Sequence, residues 1–447
     1  MQAEWSPESW KTKPEAQRVA YDDETALAQA TAELSSMPPL VTSWEVERLK
    51  GFIAEAQEGK RFLLQGGDCA ETLADCRPSV ITNKLKILLQ MSLVLVHGGK
   101  TPVIRVGRFA GQYAKPRSSP TETVDGVTLP SYFGDLVNHA AFDKGSRRAD
   151  PRALIRGYTR AALTLNFIRS LTAGGFADLH HPEYWDMAFL SRADLNPQLR
   201  EDYTRMSRDL SSALRFMEAL GETSIDDLTR VEFFTSHEGL SLHYESAQTR
   251  RVPRREGFYD LTAHLPWVGE RTRDINGAHV EFFRGIANTV GVKVGPGAKP
   301  DDVVALLHVL NPRNEPGKIV LIARMGAAKV AGALPPIISK VTESGARVLW
   351  VTDPMHGNTI SLASGIKTRN FDDILAEIER SFDVHKAAGT RLGGVHFELT
   401  GDDVTECLGG GLSEADLDKN YASVCDPRLN YRQALEMAFL IARRMSQ

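Results

Sequence analysis

Short apolar runs alternate with amphipathic segments along most of the chain. The runs are rich in β-branched residues and are bounded by glycine, proline or charged residues, which is typical of buried strands. The predicted strands are residues 61–65, 101–106, 231–235, 259–264, 286–294, 318–323, 347–352 and 391–397. Eight strands that mostly alternate with helices favour a TIM (β/α)8 barrel, and a doubly wound open sheet is the alternative.

Capping residues indicate where several helices begin. Thr42 and Glu45 form a capping box that opens a helix through about residue 58. Ser79 is expected to cap a long helix that ends at residue 97 before two glycines. Asn370 is expected to cap a helix that runs to residue 388. Further helices are predicted at residues 151–171, 300–310 and 330–344.

The pattern also divides the chain into a barrel and two additions. Residues 1–39 are polar and are expected to lie outside the main core, so an N-terminal extension with its helix is predicted at 1–58 and the barrel at 59–447. A pair of helices at about 176–221 looks inserted before the third strand, because one crossover helix would suffice there. The long connection at 109–150 is expected to be functional, as loops of this length often are.

Composition excludes several classes of protein. The 53 basic and 57 acidic residues give a net charge of −4, so no global charge favours nucleic acid or an anionic membrane as a partner. The apolar runs are far shorter than the roughly 18 residues of a membrane span, and the N-terminus lacks the apolar core of a signal peptide, so a cytoplasmic protein is expected. Four cysteines in 447 residues are too few for a disulfide scaffold.

The residues that follow the predicted strands are polar or reactive, and some are typical metal ligands. Cys69, His356 and Glu398 follow the first, seventh and eighth strands, and Asp426 is a candidate fourth ligand. Because strand ends of a parallel barrel meet at one mouth, we expect them to lie together. Each could instead be a buried thiol, a loop imidazole or a surface carboxylate. The set suits Mn²⁺, Co²⁺, Fe²⁺ or Zn²⁺ better than Mg²⁺.

A second set of strand-end residues is cationic. Cations in such number at one mouth are unfavourable unless anions neutralise them, and arginine matches phosphate and carboxylate in a bidentate manner. The alternative is a scatter of surface cations paired with acids. Trp267 and Glu270 follow the fourth strand and are assigned to the same expected site. The cations are Arg108, Lys115, Arg117, Arg271, Lys293 and Arg324.

Five motifs resemble those of a known family. They are QGGDCAE at 65–71, GQYAKPRS at 111–118, LPWVGERTR at 265–273, DPMHGN at 353–358 and VHFELTG at 395–401. They are similar to motifs of the type II, plant-like 3-deoxy-D-arabino-heptulosonate 7-phosphate (DAHP) synthases, and the resemblance runs from about residue 44 to the C-terminus. It implies a TIM barrel that condenses phosphoenolpyruvate with erythrose 4-phosphate and water to give DAHP and phosphate, the first step of the shikimate pathway.

The resemblance also implies roles for individual residues. Cys69, His356, Glu398 and Asp426 match the family's ligands for one divalent ion, with Mn²⁺ or Co²⁺ expected first and Fe²⁺ or Zn²⁺ as alternatives. Phosphoenolpyruvate-binding positions fall on Arg108, Glu270, Arg271, Lys293 and Arg324, with Lys115 close to both substrates. Arg117 and Ser118 match the site for the phosphate of erythrose 4-phosphate. Lys115, Cys69 and His356 are therefore the expected catalytic residues, with Lys115 the first candidate for proton transfer.

Longer members of this class use an N-terminal extension and an inserted helix pair for subunit contacts and inhibition by aromatic amino acids. A homodimer or homotetramer and an aromatic inhibitor, tryptophan first, are therefore expected here. Cys425 precedes Asp426, so a redox pair of Cys69 and Cys425 is a further hypothesis. Two other interpretations stay open, namely another metal-dependent aldolase or phosphatase acting on phosphorylated sugars and a non-catalytic partner-binding barrel.

Overall fold

Eight parallel strands close into a barrel in the computed structural model, which describes residues 5–174, 197, 200, 201, 204, 205, 208 and 232–447. Each strand pairs with the next one along the chain, and the first pairs with the last, so the predicted TIM barrel is confirmed. The strands are β1 Phe62–Gly67, β2 Val103–Arg108, β3 Phe234–Glu238, β4 Leu265–Val268, β5 Val290–Val294, β6 Ile319–Ala323, β7 Leu349–Thr352 and β8 Leu392–Glu398.

One of the predicted strands is wrong. Residues 259–264 do not enter the barrel, because Tyr259–Asp260 forms a short antiparallel pair with Thr249–Arg250. The barrel strand is β4, which follows directly and contains Pro266. Proline lacks the N–H that a central strand donates, so the sequence pattern favours ending the strand before it. In the structure Pro266 stands opposite His237 of β3 within a short, fully buried strand.

The helices pack around the barrel, and most begin where the sequence predicts. The Thr42 capping box is confirmed, and the Asn370 side chain accepts a hydrogen bond from the N–H of Asp372. The Ser79 cap is wrong, since the helix begins at Pro78, where a missing N–H costs no hydrogen bond. The α-helices among the described residues are α1 Glu24–Ser36, α2 Ser43–Gln57, α3 Pro78–Gly99, α4 Arg152–Ala173, α5 Leu242–Gln248, α6 Ala278–Phe283, α7 Pro300–Leu310, α8 Val330–Glu343, α9 Phe371–Ala387 and α10 Tyr431–Met445.

The predicted inserted helices at about 176–221 lie almost wholly outside the described residues. Residues 5–58 are described and pack on this chain's own barrel. Trp10 and Leu34 are buried in hydrophobic clusters shared with helices α6 and α5, and the N–H groups of Leu40 and Val41 both donate to the carbonyl of Leu261. The division at residue 58 stays a prediction.

Helix α3 is the only described helix that is long and apolar enough to cross a membrane, and it is mostly buried inside the fold. Its residues Leu85, Leu88 and Leu95 share a hydrophobic cluster with Ala438 and Ile441 of α10. The apolar character of α3 is therefore explained by packing between the barrel and the C-terminal helix.

Helix α2 closes the end of the barrel where the strands begin. Leu49 and Ile53 are fully buried and share a cluster with residues at the starts of the strands, among them Ile104, Val320 and Leu349. Because this end is filled mainly with aliphatic side chains, the polar side chains that follow the strands gather at the opposite end, where the strands finish.

Shortening one side chain of this plug should destabilise the fold. We expect Leu49→Ala to lower the free energy of unfolding by about 2–5 kcal/mol, because it leaves a cavity among side chains that cannot all collapse into it. The measurement is denaturant unfolding followed by tryptophan fluorescence and circular dichroism. The control is Trp44→Ala on the same helix, where the side chain is 71% exposed and the change should stay within about 0.5 kcal/mol. Equal effects of the two variants would contradict the assignment of α2 as a plug.

Candidate active site

A cavity of about 610 Å³ opens at the C-terminal ends of the barrel strands. Nearly all of the residues predicted from the strand ends and motifs line this one space. Only Glu398 does not, because it lies fully buried at the end of β8. The predicted residues that line the cavity are Cys69, Arg108, Lys115, Arg117, Ser118, Trp267, Glu270, Arg271, Lys293, Arg324, His356 and Asp426.

The predicted metal ligands converge from four segments of the chain. One ligand atom each from Cys69, Glu398 and Asp426 lies within 4.8 Å of the others. His356 does not belong to that cluster, but its Nε2 lies 3.1 Å from Oε1 of Glu398. Its Nδ1 lies 2.7 Å from Oδ2 of Asp353, which orients the ring with Nε2 towards the cluster.

Glu398 is an ionised carboxylate surrounded by positive groups. Its Oε1 lies 3.1 Å from Nη2 of Arg108, and its Oε2 lies 2.7 Å from Nη1 of Arg369. Burial alone would raise the pKa of Glu398, but His356, Arg369 and Arg108 hold it well below its usual range. Its Oε2 nevertheless has no partner with hydrogen-bond geometry, so this buried oxygen retains the capacity to bind another cation.

Lys115 lies between the other two members of the cluster. Its Nζ is 2.5 Å from Sγ of Cys69 and 2.6 Å from Oδ2 of Asp426. Burial would lower the pKa of Lys115, but Cys69, Asp426, Cys425 and Glu398 together raise it well above its usual value, so the amine is protonated. Burial also raises the pKa of Cys69, and its contacts with Cys425 and Glu398 raise it further.

The donor set fits a divalent transition-metal ion. A sulfur, an imidazole nitrogen and two carboxylates are the ligands such ions prefer, and a bound cation would displace the proton of the Cys69 thiol. Cys69 and Cys425 are both free thiols, and their pairing under oxidation stays a prediction.

The cationic residues approach the cavity from several strands. Nζ of Lys293, near the C-terminal end of β5, lies 2.7 Å from Oδ2 of Asp353, and burial lowers the pKa of this lysine. Arg324, which follows β6, donates from Nη2 to the carbonyl of His356 at 3.0 Å. Arg108 and Lys293 both lie near the face of the Trp267 ring, at 5.3 and 5.6 Å from its centroid. Arg108, Lys293 and Arg324 form a cationic wall of the cavity, in which Arg108 and Lys293 also contact the carboxylates of Glu398 and Asp353.

The remaining predicted residues lie in the loops after β2 and β4, which are joined by a hydrogen bond between Arg271 and Ser118. Arg271 donates from Nη2 to Oγ of Ser118 at 3.0 Å, and Nη2 of Arg117 lies 3.4 Å from Oε2 of Glu122. Glu270 accepts a hydrogen bond from the N–H of Gly295 at 2.7 Å. Arg117, Ser118 and Arg271 are therefore side by side at the outer part of the cavity.

Two residues of the site were missed by sequence reasoning. Asp353 follows β7 directly and joins Lys293 to His356, and a carboxylate at a strand end was a signal that could have found it. Arg369 is fully buried against Glu398, but it lies on a short hairpin strand, Lys367–Arg369, before helix α9. No pattern in the sequence predicts that this hairpin folds back over the mouth.

A parallel barrel with side chains of the metal-ligand type and several cations at its C-terminal mouth is typical of TIM-barrel enzymes that act on anionic substrates. Comparison with known proteins gives the family. The chain matches the model of the class-II DAHP synthetase family over residues 5–442. The protein therefore belongs to the class-II DAHP synthetase family.

Similar proteins from other organisms cover nearly the whole chain. A Neurospora crassa protein named phospho-2-dehydro-3-deoxyheptonate aldolase is 48% identical over 456 residues, covering 98% of this chain and 94% of that protein. A Streptomyces coelicolor protein of the same name is 48% identical over 436 residues, covering 97% and 96%. A Mycolicibacterium smegmatis protein named phospho-2-dehydro-3-deoxyheptonate aldolase AroG is 45% identical over 437 residues, covering 96% and 92%.

Removal of the thiol should remove the metal. We expect Cys69→Ser to lose bound divalent metal and activity together, because a serine hydroxyl is a poor substitute for a thiolate ligand. The measurement is elemental analysis of the purified protein beside a rate assay. The control is Cys76→Ser, whose thiol lies outside the cavity lining and contacts the carbonyl of Arg160. Full activity of metal-free protein would contradict the metal assignment.

Proposed function

We propose that this protein condenses phosphoenolpyruvate with D-erythrose 4-phosphate and water to give DAHP and inorganic phosphate, as a 3-deoxy-7-phosphoheptulonate synthase. The observation that carries the proposal is the cavity lined by the cationic wall and by Cys69 and Asp426, whose ligand atoms lie within 4.8 Å of that of Glu398. Two phosphorylated anions must be held beside each other in this reaction, and only a strongly cationic space allows that. Membership of the class-II DAHP synthetase family supports the same activity.

Cys69, His356, Glu398 and Asp426 would hold the metal, for which we propose Mn²⁺ or Co²⁺, with Fe²⁺ and Zn²⁺ as alternatives. When bound, such an ion supplies Lewis-acid polarisation of the aldehyde of erythrose 4-phosphate. Asp353 fixes the His356 ring by its 2.7 Å hydrogen bond, and Arg369 and Arg108 keep Glu398 ionised.

The cations bind and orient the substrates. Arg108, Lys293 and Arg324 surround the inner part of the cavity and would bind the carboxylate and phosphate of phosphoenolpyruvate above the Trp267 ring. Glu270 and Arg271, in the loop after β4, also line the cavity and would contribute to the binding of phosphoenolpyruvate. Arg117 and Ser118 lie farther out and would bind the phosphate of erythrose 4-phosphate.

In this arrangement C3 of phosphoenolpyruvate attacks the aldehyde carbon, and a carbon–carbon bond forms as the carbonyl oxygen gains a proton. Water then adds at C2, and the resulting hemiketal releases phosphate as the C–O bond breaks. Protonated Lys115 is the proposed proton donor to the new hydroxyl, because its ammonium lies beside the donor cluster. Fixed charges and proximity would supply most of the rate acceleration.

The expected homodimer or homotetramer, inhibition by an aromatic amino acid with tryptophan first, and a cytoplasmic location remain proposals. They rest on membership of the family and on the resemblance of the appended segments to those of longer members.

A coupled assay tests the reaction itself. We expect phosphate release to require both phosphoenolpyruvate and erythrose 4-phosphate, and the product to give the colour reaction of a 3-deoxy-2-keto sugar acid after periodate oxidation. The controls omit one substrate at a time. Phosphate release from erythrose 4-phosphate alone would indicate the alternative, a phosphatase on the same barrel. Binding of both substrates without turnover would favour the non-catalytic interpretation.

Replacement of Lys115 separates proton transfer from charge. We expect both Lys115→Met and Lys115→Arg to reduce kcat by about 10²–10⁴-fold, because arginine keeps the positive charge but does not give up its proton. The measurement is kcat at saturating substrates with metal content determined for each variant. Retention of most of kcat by Lys115→Arg would show that the charge alone matters.

A further inference from the structure

We infer that Gln17 of the N-terminal segment is a positioning residue for the phosphate end of erythrose 4-phosphate. This inference rests on the proposed function and adds to it a residue that lies outside the barrel and has no place in the cavity lining described above. Gln17 acts through the main chain of Arg117, which carries one of the two groups assigned to that phosphate.

The contact is a short hydrogen bond across 100 residues of sequence. Oε1 of Gln17 accepts a hydrogen bond from the main-chain N–H of Arg117 at 2.6 Å. The next residue, Ser118, accepts a hydrogen bond from Nη2 of Arg271 at 3.0 Å. Gln17 therefore fixes the main chain at Arg117, and the neighbouring Ser118 contacts the loop after β4.

This bond attaches the main chain between two other anchored positions, Lys115 and Ser119, and the carbonyl of Ser119 accepts a hydrogen bond from Oγ of Ser131 at 2.8 Å. Lys115 is held by its own bond, from its N–H to the carbonyl of Phe133 at 2.8 Å. Pro116 has no N–H to donate. The N–H of Arg117 is thus the next main-chain donor along the loop, and its acceptor is Gln17. Loss of the Gln17 amide should free Arg117 and Ser118 and leave Lys115 in place.

The backbone at Gln17 is strained, which indicates that its position is determined by its surroundings. Its φ of 61° lies in the left-handed region, which costs a residue with a side chain about 1–3 kcal/mol. The segment is anchored on both sides of this residue. The carbonyl of Pro14 accepts a hydrogen bond from the N–H of Ala278 at 2.9 Å, and Tyr21 is buried in a hydrophobic cluster.

The geometry thus joins three parts of the mouth. Ala278 begins helix α6, which follows the loop that carries Glu270 and Arg271. The segment from Pro14 to Gln17 therefore connects this region to the loop that carries Arg117. It holds the outer, phosphate-binding part of the cavity at two points while it leaves the inner part untouched.

The test is steady-state kinetics of the full-length metal-loaded enzyme with both substrates varied. We expect Gln17→Ala to raise KM for erythrose 4-phosphate roughly tenfold, the effect of losing one hydrogen bond that positions a charged group. KM for phosphoenolpyruvate should change less than about twofold, since the groups that bind it are fixed independently. A residue that served only to stabilise the fold would not separate the two KM values in this way.

Two further variants distinguish the hydrogen bond from other causes. Gln17→Gly relieves the backbone strain but also removes the amide, so it should show the same rise in KM together with thermal stability equal to or above that of Gln17→Ala. The matched control is Gln57→Ala. Oε1 of Gln57 accepts a hydrogen bond from the N–H of Gly317 at 2.9 Å beside the closed end of the barrel, so neither KM should change.

Unchanged KM for erythrose 4-phosphate in both Gln17 variants, with an active wild-type enzyme, would overturn the inference and leave the proposed function intact. Equal rises in both KM values would also overturn it, since they would indicate general loosening of the mouth. A wild-type enzyme without phosphate release that depends on both substrates would overturn the proposed function and this role with it.

Discussion

The active-site end of this protein depends on one buried negative charge. Glu398 is completely enclosed, and an isolated carboxylate in such a place would be strongly unfavourable. Arg108 from β2 and Arg369 from the hairpin neutralise it, and Nε2 of His356 after β7 lies 3.1 Å from it. Removing one partner of such a group typically costs about 3–5 kcal/mol. The carboxylate therefore holds together three segments that are distant in sequence, and their positions in turn determine where the other site residues lie.

One end of the barrel contributes mainly to stability, and the other end carries the residues of the candidate active site. At the closed end, aliphatic side chains from α2 and the strand starts exclude water and require no specific partners. At the open end many side chains are charged, and several are held by an opposite charge, as with Lys293 and Asp353. Such a mouth is costly to assemble but gives fixed dipoles that need no rearrangement when an anionic substrate binds. The N-terminal segment serves both ends, because it supplies α2 to one and Gln17 to the other.

Sequence reasoning could predict the barrel and most residues of its mouth, since strand periodicity is local and the ends of parallel strands must meet. It placed Cys69, Arg108, Lys293, Arg324 and Glu398 correctly at that end. It failed for residues whose positions are determined by contacts between distant segments and not by the local sequence pattern. Pro266 concealed β4, because proline in a central strand contradicts local preference. Arg369 reaches Glu398 only because a hairpin folds over the mouth, and the hydrogen bond of Gln17 needs a strained backbone angle that no local pattern indicates.

The closing pair of strands has a consequence for how the protein is made. β1 must wait unpaired on one side until β8 has left the ribosome, more than three hundred residues later. During that interval a nascent chain carries an open parallel edge, which is a hazard for aggregation. Glu398 arrives with that last strand and Asp426 soon after it. A truncated translation product that lacks this end would therefore hold Arg108 and Lys115 without Glu398 and Asp426, the carboxylates beside them, so the donor cluster can assemble only after residue 426 has been made.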